Sequence, residues 1–310
     1  MLDPRRLAVL REFAAQGTIA RAADALSFTP SAVSQQLSQL QRESGVALFR
    51  RAGRRLELTD AGQTLAARAG ELLARLEEIE AELARAAGDT RGTVRVAAFQ
   101  TAARALVLPA IDRLAGTHAS VRIELVELEA EESLPLVARG AVELAIAEEY
   151  EHAPRPHVAG LERAYLDPDE MVLALPAAHP AAAGDPVPLA AVRDLAWATG
   201  HAGTAYSDMV TRICRAIGGF EPDVRHRVSD MDLLLGLVAG KRTAALVPML
   251  GRPERAPGVA VRRIADGSFR RALFVAVRTS DRARPATAAA LAAIEQTART
   301  VDRPRNRASS

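Results

Sequence analysis

The sequence predicts an α/β protein in three parts: an N-terminal winged helix-turn-helix, a long linker helix, and a larger region of alternating strands and helices. Three observations carry this. Residues 17–62 hold two capped amphipathic segments and then a basic ribbon centred on a turn. Residues 59–88 repeat apolar positions in steps of four and three with no proline. From Thr93 onward, short apolar runs alternate with helix-spaced segments, the order of a parallel sheet with right-handed crossovers. At 310 residues the chain exceeds one small core and is expected to form two or three domains.

Asp3 and Pro4 open the first helix, Leu7, Leu10 and Phe13 form its inner face, and Gly17 closes it. Thr18 caps a second helix running to about Leu26, with Ile19, Ala22, Ala23 and Leu26 on one apolar face. After a turn at 27–29, Thr29 caps a third helix. It opens on Pro30, where a missing N–H costs nothing, and ends at Gly45. Val33, Leu37 and Leu40 make its buried stripe, while Ser31, Ser34, Gln35 and Ser38 face outward. Short hydroxyl and amide side chains on an exposed helix start are suited to base edges in a major groove. Strands at 48–50 and 56–58 then flank a turn at Ala52-Gly53, with Arg50, Arg51, Arg54 and Arg55 around it. These arginines, with Arg21, are read as phosphate or minor-groove contacts. Residues 1–58 hold nine arginines and five acids, four net positive charges, although the whole chain carries only +2.

Thr59 caps the linker helix, and Asp60 sits where the helix dipole favours a negative charge. Leu65, Ala69, Leu72, Leu76, Ile79 and Leu83 form an a/d seam, with Glu71, Glu77, Glu78, Glu80 and Glu82 on the other faces. A helix of roughly 40 Å overhangs a small domain, so pairing with a second copy is expected. Gly88 is expected to end it, with a hinge at 88–92. Beyond the hinge, strands are read at 94–98, 121–128, 142–147, 171–176, 195–200, 225–228, 243–248, 261–264 and 271–277. Helices are read at 101–115, 132–139, 207–217 and 286–299, with another capped by Ser229, and the polar stretch 302–310 is read as a disordered tail.

The literal sequence adds a resemblance. AADALSFTPSAVSQQLSQLQRESGVALFRR…LELTDAG is similar to the N-terminal signature of LysR-type transcriptional regulators. The likeness rests on Ala22-Ala23, Ala32–Ser34, Gln36, Leu40, the run Gly45–Phe49 and Leu58–Gly62. Further on, Leu175–Pro180, Val187–Leu195 and Leu237–Pro248 resemble that family's effector region, which looks like a periplasmic binding protein with two α/β lobes. The resemblance implies a winged helix-turn-helix domain at 1–58, a dimerisation helix at 59–88 and an effector-binding domain at 89–301. Lobe I would span about 92–164 and 269–301, and lobe II about 165–268. It implies binding of double-stranded promoter DNA as a homodimer or homotetramer, with RNA polymerase as a further partner. Two positions depart from the pattern: Gln35 stands where many members carry arginine, and Pro30 where many carry glutamine.

In a two-lobe fold the ligand sits between the lobes, at carboxyl ends of strands and N-termini of helices. That selects Phe99, Gln100, Thr101 and Ala102 after the first strand, and Glu148 and Glu149 after the third. It also selects His201, Gly203, Thr204, Ser229, Asp230 and Pro248. Backbone N–H groups at Thr101, Ala102 and Thr204 suit a carboxylate, whereas the acids suit a cationic group, so an amino acid or amine effector is expected.

Enzyme signatures are missing. Six histidines and one cysteine form no metal-ligand spacing, and no nucleophile-elbow, dinucleotide or phosphate-loop pattern occurs. No catalytic residue, metal or cofactor is expected. Cys214 lies on an apolar helix face and Trp197 in a core strand. A single cysteine and no run of eighteen apolar residues suit a cytoplasmic protein without a membrane partner. The alternative is a cytosolic small-molecule-binding or enzymatic α/β protein with a non-functional DNA-binding module.

Overall fold

The computed structural model describes residues 2–26, 28–53, 55–86, 90–151 and 153–301. The chain divides into two compact units, 1–88 and 89–310. The expectations placed on Arg54, on the helix end at Gly88 and on the tail 302–310 lie outside the described residues.

The first unit holds α1 (Pro4–Gln16), α2 (Ile19–Leu26), α3 (Pro30–Ser44), β1 (Phe49–Ala52), β2 (Arg55–Leu58) and α4 (Asp60–Ala86). Its helix starts follow the local chemistry. The Asp3 carboxylate accepts from Arg5 N–H ahead of Pro4, and the Thr29 hydroxyl accepts from Ala32 N–H ahead of Pro30. Gly17 and Gly45 end α1 and α3 in the left-handed conformation, with φ of 71° and 69°. Leu7, Leu10, Phe13, Ala22, Ala23, Val33, Leu37, Leu40 and Leu48 form one core. The LTDAG phrase has a geometric reason. Thr59 Oγ1 donates to the carbonyl of Ala47 (2.7 Å) and accepts from Gly62 N–H (3.1 Å). A Cβ on Gly62 would lie 2.2 Å from the carbonyl oxygen of Leu48, so only glycine lets α4 begin against the wing.

The seam of α4 splits into two parts. Ala69 is buried in the first unit's own core, with Leu65 and Leu73 packed against it. Leu72, Leu76, Ile79 and Leu83 are 36–66% exposed. Alternating spacing marks both halves alike; only the fold separates the half that packs at home.

The second unit begins with β3 (Gly92–Ala98) and α5 (Gln100–Ala102). A π turn at Ala103–Val107 leads from α5 into α6 (Leu108–Thr117). Next come β4 (Val121–Glu127), α7 (Ala130–Ala138), β5 (Leu144–Tyr150), β6 (Leu161–Tyr165) and β7 (Asp169–Pro176). Then follow β8 (Ala196–Thr199), α8 (Ala205–Ala216), β9 (Asp223–Arg227), α9 (Met231–Leu237), β10 (Thr243–Pro248) and β11 (Val259–Arg262). β12 (Phe269–Arg278), α10 (Thr279–Arg282) and α11 (Pro285–Thr300) complete it.

The strand order is β4-β3-β5-β12-β7-β10-β8-β9, with β11 on β7 and β6 on β12. β3 is parallel to β4 and β5, as the βαβαβ reading requires. β12 and β7 run antiparallel to their neighbours, so the sheet is mixed. Its two halves have separate cores. Val94, Val96, Leu106, Ile146, Leu273 and Ile294 belong to one, and Leu173, Leu175, Trp197, Val210, Ile213 and Leu246 to the other. Val172 and Ala174 pack on the opposite face of β7 from Leu173 and Leu175, the period-two alternation of a strand covered on both sides. β12 is the strand common to both halves: Leu273–Val277 pair with β5, and Phe269–Arg271 pair with β7.

Candidate nucleic-acid interface and ligand cleft

The outward face of α3 and the wing form a groove of about 770 Å³, with Ser34, Ser38, Arg50, Arg51 and Arg55 along it. Arg21, Thr29, Pro30, Ser31, Ser34, Gln35, Ser38, Arg50, Arg51 and Arg55 are all exposed. Their hydrogen bonds distinguish them. Ser31 Oγ pairs with Thr29 Oγ1 (2.9 Å), and Ser38 Oγ donates to the Ser34 carbonyl (2.8 Å). Arg50 is 3.2 Å from Glu57. Among the described residues the Gln35 amide makes no hydrogen bond, and Arg51 and Arg55 form no ion pair. Sequence reasoning passed over Gln41. Its Oε1 accepts from Leu48 N–H (2.9 Å) and Phe49 N–H (3.0 Å), fixing the wing to the helix, and the Phe13 and Phe49 rings meet edge to face at 5.7 Å.

In the second unit, a cavity of about 50 Å³ lies where the two halves of the sheet meet. Of the residues singled out in the sequence, Phe99, Gln100, Thr101, Glu148, His201, Thr204, Ser229 and Pro248 line it. Four others sit elsewhere. The Ala102 side chain is buried in the core of the first half. Glu149 is on the opposite face of β5 from Glu148, 3.0 Å from Arg163 Nη1, and accepts from Tyr165 Oη (2.9 Å). Gly203 borders a neighbouring depression beside Arg155 and Arg212. The Asp230 carboxylate caps α9, accepting from Leu233 N–H, and also accepts from Gln100 Nε2 (3.0 Å).

The cavity also takes residues that sequence reasoning did not select: Glu129, Tyr150, Tyr206 and Arg271. Arg271 is the hub. Its Nε and Nη2 reach Asp169 Oδ2 at 3.0 and 2.8 Å, Nη2 donates to Thr101 Oγ1 (3.0 Å), and the guanidinium lies 4.8 Å from the centre of the Phe99 ring. Burial opposes its charge, but Asp169, Tyr150 and Glu148 outweigh that, so the proton is held more tightly than on an ordinary guanidinium. Asp169 Oδ1 accepts from Leu250 N–H (2.9 Å), so this one pair joins β7, β12, the loop after β10 and the start of α5.

Side chains of the first half reach helix starts in the second. Glu131 Oε1 accepts from Ala205 N–H at the first turn of α8 (3.0 Å) and from Arg155 Nη2 (2.9 Å). Gln100 Oε1 accepts from Met231 N–H (3.4 Å), and Arg104 pairs with Asp232 at 2.7 Å. Glu148 is only 3% exposed. Its Oε1 accepts from Arg155 Nη2 (3.2 Å), while Oε2 is buried with no hydrogen-bond partner among the described residues. Burial drives its carboxyl up to about 7, against the pull of Arg271 and Arg155. Burial likewise raises Glu129, with Glu131 adding repulsion. Cys214 is buried in the second core, its thiol pushed up to about 12 by burial and by Glu221.

Comparison with known proteins places this geometry. Residues 4–63 match the family model described as bacterial regulatory helix-turn-helix protein, lysR family, and residues 87–299 match that of the LysR substrate binding domain. The chain belongs to the LysR family. A LysR-family relative, the HTH-type transcriptional activator IlvY of Salmonella typhimurium, is 30% identical over 153 residues, 49% of this chain and 52% of that protein. The chain thus spans about half the length of that relative. The transcriptional regulator AlsR of Bacillus subtilis is 27% identical over 232 residues, 74% of each chain. In fold, the chain is similar to a full-length OxyR variant from Pseudomonas aeruginosa, with a TM-score of 0.69 and 20% identity, covering 100% of this chain and 99% of that one. Among the described residues no helix is long and apolar enough to cross a membrane.

Proposed function

We propose that this LysR-family chain is a cytoplasmic transcriptional regulator that reads promoter DNA and responds to a small-molecule effector. Residues 1–58 are the DNA-binding domain, 59–88 the linker that pairs two copies, and 89–301 the effector domain. Lobe I takes about 92–164 and 269–301, and lobe II about 165–268. The supporting observation is the row of exposed groups on α3 and the wing, in which Gln35, Arg51 and Arg55 have no side-chain partner among the described residues. On this reading Pro30–Ser38 enters the major groove, Gln35 offers its amide to an adenine edge, and Arg21, Arg50, Arg51 and Arg55 neutralise phosphates. The linker makes a homodimer or homotetramer, and RNA polymerase is a further partner. The effector, an amino acid or amine, binds in the cleft lined by Phe99, Gln100, Thr101, Glu148, His201 and Thr204 and changes the angle between the paired DNA-binding domains.

Fluorescence anisotropy across a salt series tests the DNA contacts. Arg51→Ala and Arg55→Ala are each expected to flatten the slope of log affinity against log salt, by about 0.9 for every phosphate that is no longer neutralised. Both are expected to weaken specific and random duplexes alike. Gln35→Ala is expected instead to narrow the gap between specific and random DNA. Unchanged slopes in both arginine variants would remove the wing from the interface.

A further inference from the structure

We propose that the cleft selects a ligand bearing a primary ammonium, received by the carboxylates of Glu148 and Glu129. This deepens the effector reading and rests on it.

Charge is the first consideration. Glu129, Glu148 and Arg271 line the cavity; Asp169 is paired with Arg271, and Glu131 and Arg155 line the neighbouring depression, where Arg155 also reaches Glu148. Both arginines are occupied. Arg271 is held by Asp169 and Thr101. Arg155 donates to Glu131, to Glu148 Oε1 and, at 2.6 Å, to the Glu148 carbonyl. The helix start of α8, which would otherwise attract an anion to this region, already binds Glu131. An incoming anion would therefore meet Glu148 and Glu129 with neither arginine uncommitted.

An ammonium meets the opposite situation. Among the described residues Glu148 Oε2 is an acceptor without a donor, in a residue that is 3% exposed and lines the cavity. A buried acceptor left unmade is costly, and an –NH₃⁺ group supplies three donors to a compact site. Glu129, half-buried on the same cavity wall, provides a second acceptor. About 50 Å³ accommodates an ammonium head and little more, so the rest of the ligand must lie toward the cleft mouth. The upward displacement of both carboxyls agrees with a site short of positive charge. The adjacent residue on the strand, Glu149, takes no part, because Arg163 and Tyr165 already satisfy it.

Thermal unfolding of the full chain tests this, with propylammonium, cadaverine, L-alanine and L-lysine set against propionate and succinate, each at about 20 mM. At least one ammonium compound is expected to raise Tm. Glu148→Gln, close to isosteric, should reduce its affinity at least about tenfold, and Glu129→Gln should reduce it less, as expected for hydrogen bonds to charged groups. Stabilisation by the anions alone, unchanged in Glu148→Gln, would overturn the proposal and leave the effector reading standing. Stabilisation by none of these compounds would overturn both.

Discussion

Glu148→Gln is expected to make the ligand-free protein more stable at pH 8, by up to about 3 kcal/mol, and to remove this residue's share of the change in stability between pH 5 and pH 8. In the folded chain the Glu148 carboxyl titrates near 7, because burial outweighs Arg271 and Arg155, whereas an ordinary glutamate titrates at 4.5. Between those values the folded protein holds a proton that the unfolded chain has lost. The contribution of the neutral carboxyl is therefore complete below about pH 4.5 and disappears as pH rises through 7. Glutamine keeps a carbonyl for Arg155 and never ionises, so its advantage should grow with pH and level off above 7. Arg155 retains Glu131 and the Glu148 carbonyl in the variant, which limits the damage. Thermal denaturation at a series of pH values checks this, with a gain of several degrees at pH 8 and a much smaller one at pH 5. Parallel curves for the two proteins would mean that Glu148 is ionised throughout. The same substitution is expected to weaken ammonium binding, so stability and ligand affinity should move in opposite directions in this variant.

A second large effect is expected from Leu76→Glu with Leu83→Glu on α4. Leu72, Leu76, Ile79 and Leu83 form an exposed stripe outside the core of the first unit's described residues. Repeated along a helix at a/d spacing, such a stripe is expected to be covered by a second copy, and two charges in the seam would oppose that pairing. The double variant is expected to sediment as a monomer and to lose roughly a hundredfold or more in affinity for a two-half-site operator, because the second half-site is no longer tethered. Its helix content should be preserved, since Leu65 and Ala69 still pack in the core of the first unit. A variant that remains dimeric with full affinity would move the pairing surface elsewhere.

The legibility of the two units differed for a physical reason. In the first, caps, glycine stops and apolar spacing act within a few residues, so α1, α2, α3 and the wing could be read directly from the chain. In the second, the cleft depends on residues far apart in sequence: Thr101, Asp169 and Arg271 meet only because β7 and β12 pair in register. Arg271 sits in a run that reads as an ordinary strand, and nothing local marks its role. Glu148 and Glu149 are indistinguishable in the sequence; strand alternation turns one to the cavity and leaves the other to Arg163. The strand β6 went unread, and the antiparallel placement of β12 was invisible to a pattern that distinguishes strand from helix but not strand direction.

The central claim, that this LysR-family chain reads specific DNA as a paired unit, is most directly tested by selection from a pool of random duplexes with the full-length protein. The expected result is enrichment of two related half-sites in mirror orientation, with bound fractions that fall steeply as salt rises. A pool that stays random after repeated rounds, with weak and salt-insensitive binding, would contradict it.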